Sequence, residues 1–567
     1  MKKNRKWICG IILLCIPLIY LTTFFFYPIG VLLEAAFTQV QARTLPDFNW
    51  GIIPRSFFFT LYQALLSTGF TLLIGIPAAF LFAKYKFSGK QFLKLLSTLP
   101  FILPTVVTAA AFNTLLAPRG WINLAIMAVF GLDAPIIQIQ NSLTAIILAH
   151  VFYNTSIVIR VFGGAWSRLD PKLENAALTL GAKPLTAFRR IIFPQLLPSL
   201  LSSVLLVFLF DFTSFGVVLM LGGPRFATIE VEIFIQTMHL LNLPLSGILS
   251  LIQLIFTMVV SGLIVRTSGE SALPVLTRIN GLGKKKIEKF SEKALLVGMI
   301  LVLLTLFGLP VFGLIFRSFT FSDIRIGGST LFSLAYYRSL FEDSRQSIFF
   351  VPPAAALANS LIFASMTSIL TLSLALLLVF GLRIIGKAGR LLEIVLLLPM
   401  GTSAVTLGLG FFVAFSRTSQ TTFIYYFLIP AAHSLVALPF VMRIIQPALA
   451  TIPKNLQHAA QSLGAAPGKV WRYIEMPLIR PAIFTSLIYA IAISLGEFGA
   501  TSFISRPDIP TMPTAIFRLL NFPGGSNYGQ AIAMSVIILV TCAIGISLLE
   551  RIQVDHYGKR TEYHAAD

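Results

Sequence analysis

LENAALTLGAKPLTAFRRIIFPQLLPSL, residues 173–200, returns as LQHAAQSLGAAPGKVWRYIEMPLIRPAI, residues 456–483. The step from Leu173 to Leu456 is about half the length of the chain, so the sequence is a duplication. In that register Ala176, Ala177, Leu180, Gly181, Pro184, Arg189, Pro194 and Pro198 meet Ala459, Ala460, Leu463, Gly464, Pro467, Arg472, Pro477 and Pro481. His150 meets His433, Arg160 meets Arg443, and Phe215-Gly216 meets Phe498-Gly499. Upstream the register lengthens, so that Pro100 meets Pro399; the first half carries an extra stretch around residues 117–133.

Each copy reads as a short helix. Gly181 and Gly464 fall where a left-handed C′ residue would end it, and Pro184 and Pro467 prevent its continuation. A short helix on a membrane surface has two readings: it lies against lipid, or it plugs into a groove on a partner. Recurrence of the same Gly, Pro and Arg positions in both halves favours the groove.

The solvent around these copies is a bilayer. Hydrophobic residues make up 56% of the chain and charged residues 11%, against roughly 25% in soluble domains. Mean hydropathy is +0.86. A water-soluble enzyme is excluded on these figures. Uncharged runs at 7–33, 56–83, 95–118, 134–159, 191–210, 233–265, 294–316, 346–382, 394–416, 418–442, 481–496 and 519–549 predict twelve transmembrane helices, six per repeat. The N-terminal run lacks a small-residue cleavage site and reads as a retained first span.

The net charge of +21 belongs to the inner loops rather than to nucleic acid. With the N-terminus inside, the inner segments hold 32 of the 43 Lys and Arg residues and all 18 lysines, so both termini are expected in the cytoplasm. The fold class is therefore all-α and polytopic: two parallel six-helix repeats, 1–270 and 294–567, joined by a basic cytoplasmic linker over 271–293. The run KKKIEKFSEK (284–293) in that linker reads as a topology anchor, with anionic lipid as the other reading.

The repeated segment resembles the EAA loop of ATP-binding-cassette importer permeases, whose pattern is E-A-A, three residues, G, nine residues and I-x-L-P. The first copy has Asn175-Ala176-Ala177, Gly181 and Ile191-Ile192-Phe193-Pro194; the second has His458-Ala459-Ala460, Gly464 and Ile474-Glu475-Met476-Pro477. The motif glutamate is replaced in both, although Glu174 is adjacent in the first. The resemblance covers essentially the whole chain. It implies the type I importer fold, with coupling loops at about 168–198 and 451–481 that dock on two copies of a cytosolic ABC ATPase. It further implies an extracytoplasmic substrate-binding protein and a bacterial plasma membrane.

ATP–Mg is expected in the ATPase and no cofactor on this chain, because none of its Gly-Lys pairs has the spacing of a phosphate-binding loop. The chain is thus expected to be a permease and not an enzyme. The six-plus-six layout is similar to the fused permeases of ferric-iron and thiamine importers, so iron(III) and thiamine are the leading substrates. A twelve-span secondary transporter driven by an ion gradient is the alternative; it offers no reason for two EAA-like loops.

Two acids interrupt apolar runs, Asp211 and Glu497. A charge at mid-bilayer costs about 2.5–3.5 kcal/mol on insertion scales, so such residues face a bundle interior or a polar path. They are candidates for a pathway favouring a cation, against a role in helix packing alone. His150 and His433, one per repeat, read as helix–helix hydrogen-bonding residues and as secondary pathway candidates. Pro100, Pro104 and Pro399 predict kinks. The three cysteines lack metal-ligand spacing, and no metal site is expected.

Overall fold

The structure is a computed structural model that describes residues 2–42, 49–118, 120–268, 285–286, 290–322, 330–342, 352–386, 398–416, 422–522 and 524–563. It is a polytopic helical protein, as apolar runs in hydrocarbon require: a helix satisfies its own backbone donors and acceptors. Ten helices are long and apolar enough to cross a membrane, from Gly10–Thr38 to Gly525–Leu548. The pair Lys90–Phe101 and Thr105–Phe130 passes the same measure of length and apolarity when taken together, and is bent by 111°. Pro104 stands at that break, as the N-cap of Thr105–Leu116.

Twelve uninterrupted spans are therefore not what the described residues show. The span expected at 394–416 appears as the shorter helix Ala404–Phe415. Its start meets that of Thr105–Leu116 in the register that joins Pro100 to Pro399. Residues 387–397 ahead of it, and most of the basic linker 271–293, lie outside the described residues.

The duplication is visible element by element. Pro171–Thr179, Pro184–Ala187, the wide turn Phe188–Ile192 and Phe193–Phe212 recur as Lys454–Ser462, Pro467–Val470, Trp471–Glu475 and Met476–Gly496. The starts of all four pairs keep the register that joins Leu173 to Leu456.

Two compact units result, and neither is a contiguous half of the sequence. One comprises Ala35–Pro353 and Pro513–Leu539. Its core packs Ile52–Lys84 along Leu143–Arg168, around Ile157, Val158, Phe162 and Val207. The helices approach closely at Gly75, where an added Cβ would stand 2.7 Å from Val158 Cβ. Small residues at such crossings are what dispersion-driven packing in lipid favours. The helix that opens the second repeat packs within this unit: Phe307 lies 5.8 Å from Phe152, and Phe316 lies 4.5 Å from Trp121.

The other unit comprises Met1–Glu34, Ala354–Met512 and Val540–Asp567. Here the chain's first helix packs on second-repeat helices. Tyr20 Oη donates to Ala431 O at 3.0 Å, and the Phe24 ring lies 5.5 Å from Phe427. The repeats 1–270 and 294–567 are divisions of sequence, the units divisions of space, and the first spans are the main difference between them.

Candidate functional site

The duplicated loops are built alike from local chemistry. Asp170 caps the first loop helix by accepting the Lys172 amide at 2.9 Å, which its sequence position before Pro171 could have signalled. At the other end Gly181 has φ +84°, with Ala182 N donating to Ala177 O and Gly181 N to Leu178 O, both at 3.0 Å. Gly464 has φ +80° and the same pair of bonds, Ala465 N to Ala460 O and Gly464 N to Gln461 O. Both ends are Schellman motifs, and the left-handed residue is glycine in each.

The residue before each glycine is thrust outward. Leu180 and Leu463 are both 88% exposed. Asn175 and Ala176 are exposed while Ala177 is buried; His458 and Ala459 are exposed and Ala460 is half-buried. Pro194 and Pro477 stand in the first turn of the helices that follow the wide turns. The Glu174 carboxylate lies 3.0 Å from Lys84 Nζ. Beside that pair a cavity of about 200 Å³ is lined by Lys84, Trp166, Asp170, Asn175 and Ile192.

Asp211 and Glu497 are brought to His150 and His433. Asp211 is fully buried; Oδ1 lies 3.3 Å from His150 Nδ1 and accepts from Asn154 Nδ2 at 2.6 Å, and Oδ2 accepts from Thr68 Oγ1 at 3.3 Å. His150 Nε2 meets Ser214 Oγ at 2.7 Å. In the other unit, Glu497 Oε2 lies 3.2 Å from His433 Nε2. It also accepts from Thr501 Oγ1 at 2.5 Å and Thr501 N at 3.0 Å, while Oε1 accepts Ala500 N at 2.8 Å. Every carboxylate oxygen of the two acids is thus engaged inside its own unit. His433 Nδ1 meets Ser494 Oγ at 2.8 Å. Arg160 donates to Thr98 Oγ1 at 2.5 Å.

A further buried acid was missed by reading for uncharged runs. Glu230, 1% exposed, accepts from Gln253 Nε2. It sits in ATIEVEIFIQTM, just ahead of the run begun at 233, and the signal was an acid inside an otherwise apolar stretch. Among the described residues no group of three or more His, Cys, Asp or Glu could hold a metal ion.

Comparison with known proteins follows the same lines. The family described as binding-protein-dependent transport system inner membrane component matches residues 71–270 and 374–554, once in each repeat. The chain is 26% identical over 508 residues to the thiamine transport system permease protein ThiP of Brucella abortus (strain 2308), covering 87% of this chain and 86% of that protein. It is 23% identical to the ThiP of Escherichia coli (strain K12) over 515 residues, 89% of each. A putative 2-aminoethylphosphonate transport system permease protein, PhnU of Salmonella typhi, is 26% identical over 250 residues, 43% of this chain and 86% of that protein.

Proposed function

The chain belongs to the family of binding-protein-dependent transport system inner membrane components, and from that premise we propose that it carries thiamine inward. It is the multi-pass permease subunit of an ATP-binding-cassette importer rather than an enzyme, and ATP hydrolysis resides in a separate ATPase. The ion-gradient alternative is set aside by that membership.

The observation that carries the thiamine reading is coverage. The thiamine permeases align along both repeats, whereas the 2-aminoethylphosphonate permease aligns with under half of the chain. Iron(III), the other leading substrate of the sequence reading, has no counterpart among these relatives.

Each loop helix docks on one copy of a cytosolic ATPase, so two copies serve one chain; ATP–Mg binds there and no cofactor binds here. The reading is supported by two equal hairpins, each ending in an exposed leucine over a rigid glycine stop. An extracytoplasmic binding protein delivers the substrate. ATP binding closes the ATPase pair, the loop helices move, and the pathway changes the side on which it opens. Each state must therefore differ in its affinity for substrate or partner. The distribution of lysines supports cytoplasmic termini, and the family supports a bacterial plasma membrane.

Asp211 and Glu497, with His150 and His433, act as packing elements rather than as a cation path, a reading supported by their burial and by carboxylate oxygens fully engaged within the protein.

The test is energy-dependent uptake of labelled thiamine, with ferric iron in parallel, in cells lacking the gene and in complemented cells. Thiamine uptake lost on deletion and restored by complementation is expected. Uptake indifferent to the gene, with the ATPase still co-purifying, overturns the substrate; failure of the ATPase to co-purify overturns the docking assignment.

A further inference from the structure

In each unit, the last turn of one membrane-spanning helix is joined to the duplicated loop by an ion pair and by an aromatic contact, the latter direct in one unit and relayed in the other through Trp166 of Leu143–Arg168. In one unit Lys84, the final residue of Ile52–Lys84, places Nζ 3.0 and 3.5 Å from the Glu174 carboxylate oxygens. In the other, Arg383, near the end of Pro353–Ile385, places Nη2 3.1 Å from Glu475 Oε1. That oxygen also accepts from Gln457 Nε2 at 2.7 Å.

The partners are related in an unexpected way. Lys84 meets Arg383 in the same register that joins Pro100 to Pro399 and Thr105 to Ala404, so the cation stands at one repeat position. In the loop register Glu174 meets Gln457, whereas Glu475 stands opposite Ile192. The acid has thus moved from the loop helix to the wide turn behind it, and a glutamine at the old acid position completes the link. Two different acids reach the same cation, so the connection recurs rather than a residue.

The second contact is aromatic. Phe80, one turn before Lys84, lies 5.1 Å from Trp166, which stacks 5.9 Å from Phe188 at the start of the wide turn. Phe380, close before Arg383, lies 4.4 Å edge-on from Trp471, the counterpart of Phe188 in the second repeat.

A partly exposed ion pair adds little to stability, and these side chains are 27% and 30% exposed in one pair and 39% and 11% in the other. A basic residue needed only to anchor topology would require no acid at all. What two attachments about one turn apart do is fix both the position and the rotation of a helix end, and a single contact would leave it free to swivel.

We infer that these clasps are the positioning elements through which the loop helices drive the Ile52–Lys84 and Pro353–Ile385 spans during transport. The inference rests on the importer reading. Displacing a loop helix pulls on the span end through the ion pair and turns it through the aromatic contact, as contiguous packed contacts can transmit a shift between elements.

The test is a charge exchange in the permease–ATPase complex reconstituted in liposomes. Lys84→Glu and Glu174→Lys are made singly and together, and likewise Arg383→Glu and Glu475→Arg. Three quantities are measured: ATPase retained per permease, ATP hydrolysis without substrate, and labelled thiamine taken up per ATP hydrolysed. Per ATPase retained, each single reversal should raise substrate-free hydrolysis and lower the uptake ratio at least about fivefold, the lower end of typical coupling between sites. The exchanged pair should return both to within about twofold of the unaltered complex, as a direct interaction in a double-mutant cycle requires.

Single reversals without effect on either measure, or an exchanged pair no better than its worse single variant, overturn the inference. Should a reversal prevent assembly, Lys84→Gln and Glu174→Gln remove the charge at similar side-chain length and are judged on the same two measures. An unaltered complex that hydrolyses ATP yet takes up no thiamine overturns the substrate reading; substrate-free hydrolysis in the variants still decides the clasp.

Discussion

Asp211 and Ser494 occupy one position of the two repeats, and each faces Nδ1 of its unit's histidine, at 3.3 and 2.8 Å. Across each ring the pattern is reversed: Nε2 meets Ser214 in one unit and Glu497 in the other, and these two again share a repeat position. Acid and serine have changed places around a histidine common to both repeats. Hydroxyls share both rings, Ser67 Oγ at 3.0 Å from His150 Nδ1 and Thr501 Oγ1 at 2.7 Å from His433 Nε2. A carboxylate lining a substrate path would need a particular side of the helix, whereas one that packs beside a buried histidine can sit on either side. The exchange also explains why Glu497 falls in register with Ser214 and not with Asp211.

Neutral replacement should therefore be tolerated. Asn and Gln keep one acceptor oxygen and turn the other into a donor, so each gives up one of the bonds that the carboxylate makes. Counted per folded permease, the Asp211→Asn, Glu497→Gln double variant is expected to take up thiamine within about twofold of the unaltered chain, since the loss of a packing bond lowers stability and leaves a pathway elsewhere unchanged. A fall of tenfold or more, with the complex assembled and the same in size, would return the acids to the pathway. Ser214→Asp in the Asp211→Ser background should likewise recover what Asp211→Ser loses.

Leu180 and Leu463 carry the second prediction. Each is a bare apolar side chain held at the tip of a rigid hairpin, and burying a leucine fully is worth about 1.5–3 kcal/mol. Leu180→Asp or Leu463→Asp should weaken ATPase retention about tenfold to a hundredfold, at one factor of ten per roughly 1.4 kcal/mol. Stability of the permease alone should not move, because both leucines are largely exposed on it. Equal retention by the double variant would remove the hairpins from the docking surface.

Much of this is legible in the sequence. Gly181 and Gly464 announced the helix stops because a left-handed residue is favoured there, and a residue-by-residue repeat carried over into equal element boundaries. The histidine–acid pairing was not legible: His150 and Asp211 lie on different helices, and hydropathy reports depth in the membrane but not which faces meet. The packing of the Phe290–Phe319 helix against first-repeat residues such as Phe152 and Trp121 was invisible for the same reason, since periodicity marks an apolar helix without naming its neighbour. The run at 95–118 bends by 111° at Pro104, one of the predicted kinks; the size of the bend was not legible, because a proline marks a break without setting its angle.

The helix stops give a third prediction. An added Cβ at Gly181 or Gly464 meets nothing within 4 Å, so only the left-handed backbone opposes a side chain there. That strain is roughly 1–2 kcal/mol for alanine and smaller for asparagine, which visits this conformation readily. Gly464→Ala should lower ATPase retention and thiamine uptake together, and Gly464→Asn should recover most of both. Equal loss in the two variants would mean that the glycine is needed for room beneath a partner and not for its backbone.

Gly75 gives the last prediction, on the helix pair at the centre of one unit. An added Cβ would fall 2.7 Å from Val158 Cβ and 2.8 and 3.1 Å from its two methyl carbons. Val158 cannot swing aside, because a β-branched side chain in a helix is held to essentially one rotamer. Gly75→Ala should thus push Ile52–Lys84 away from Leu143–Arg168 at a cost of about 1–3 kcal/mol, the usual penalty for overpacking. The measurement is thermal unfolding of the purified permease, where the midpoint should fall. Val158→Gly in the Gly75→Ala background removes the Cβ as well as the two methyl groups that the new Cβ strikes, and should restore much of the loss although Val158→Gly alone destabilises. If the two substitutions simply add, the helices do not touch at this point, and the close crossing that places Lys84 beside the loop helix would have to be set elsewhere along the pair.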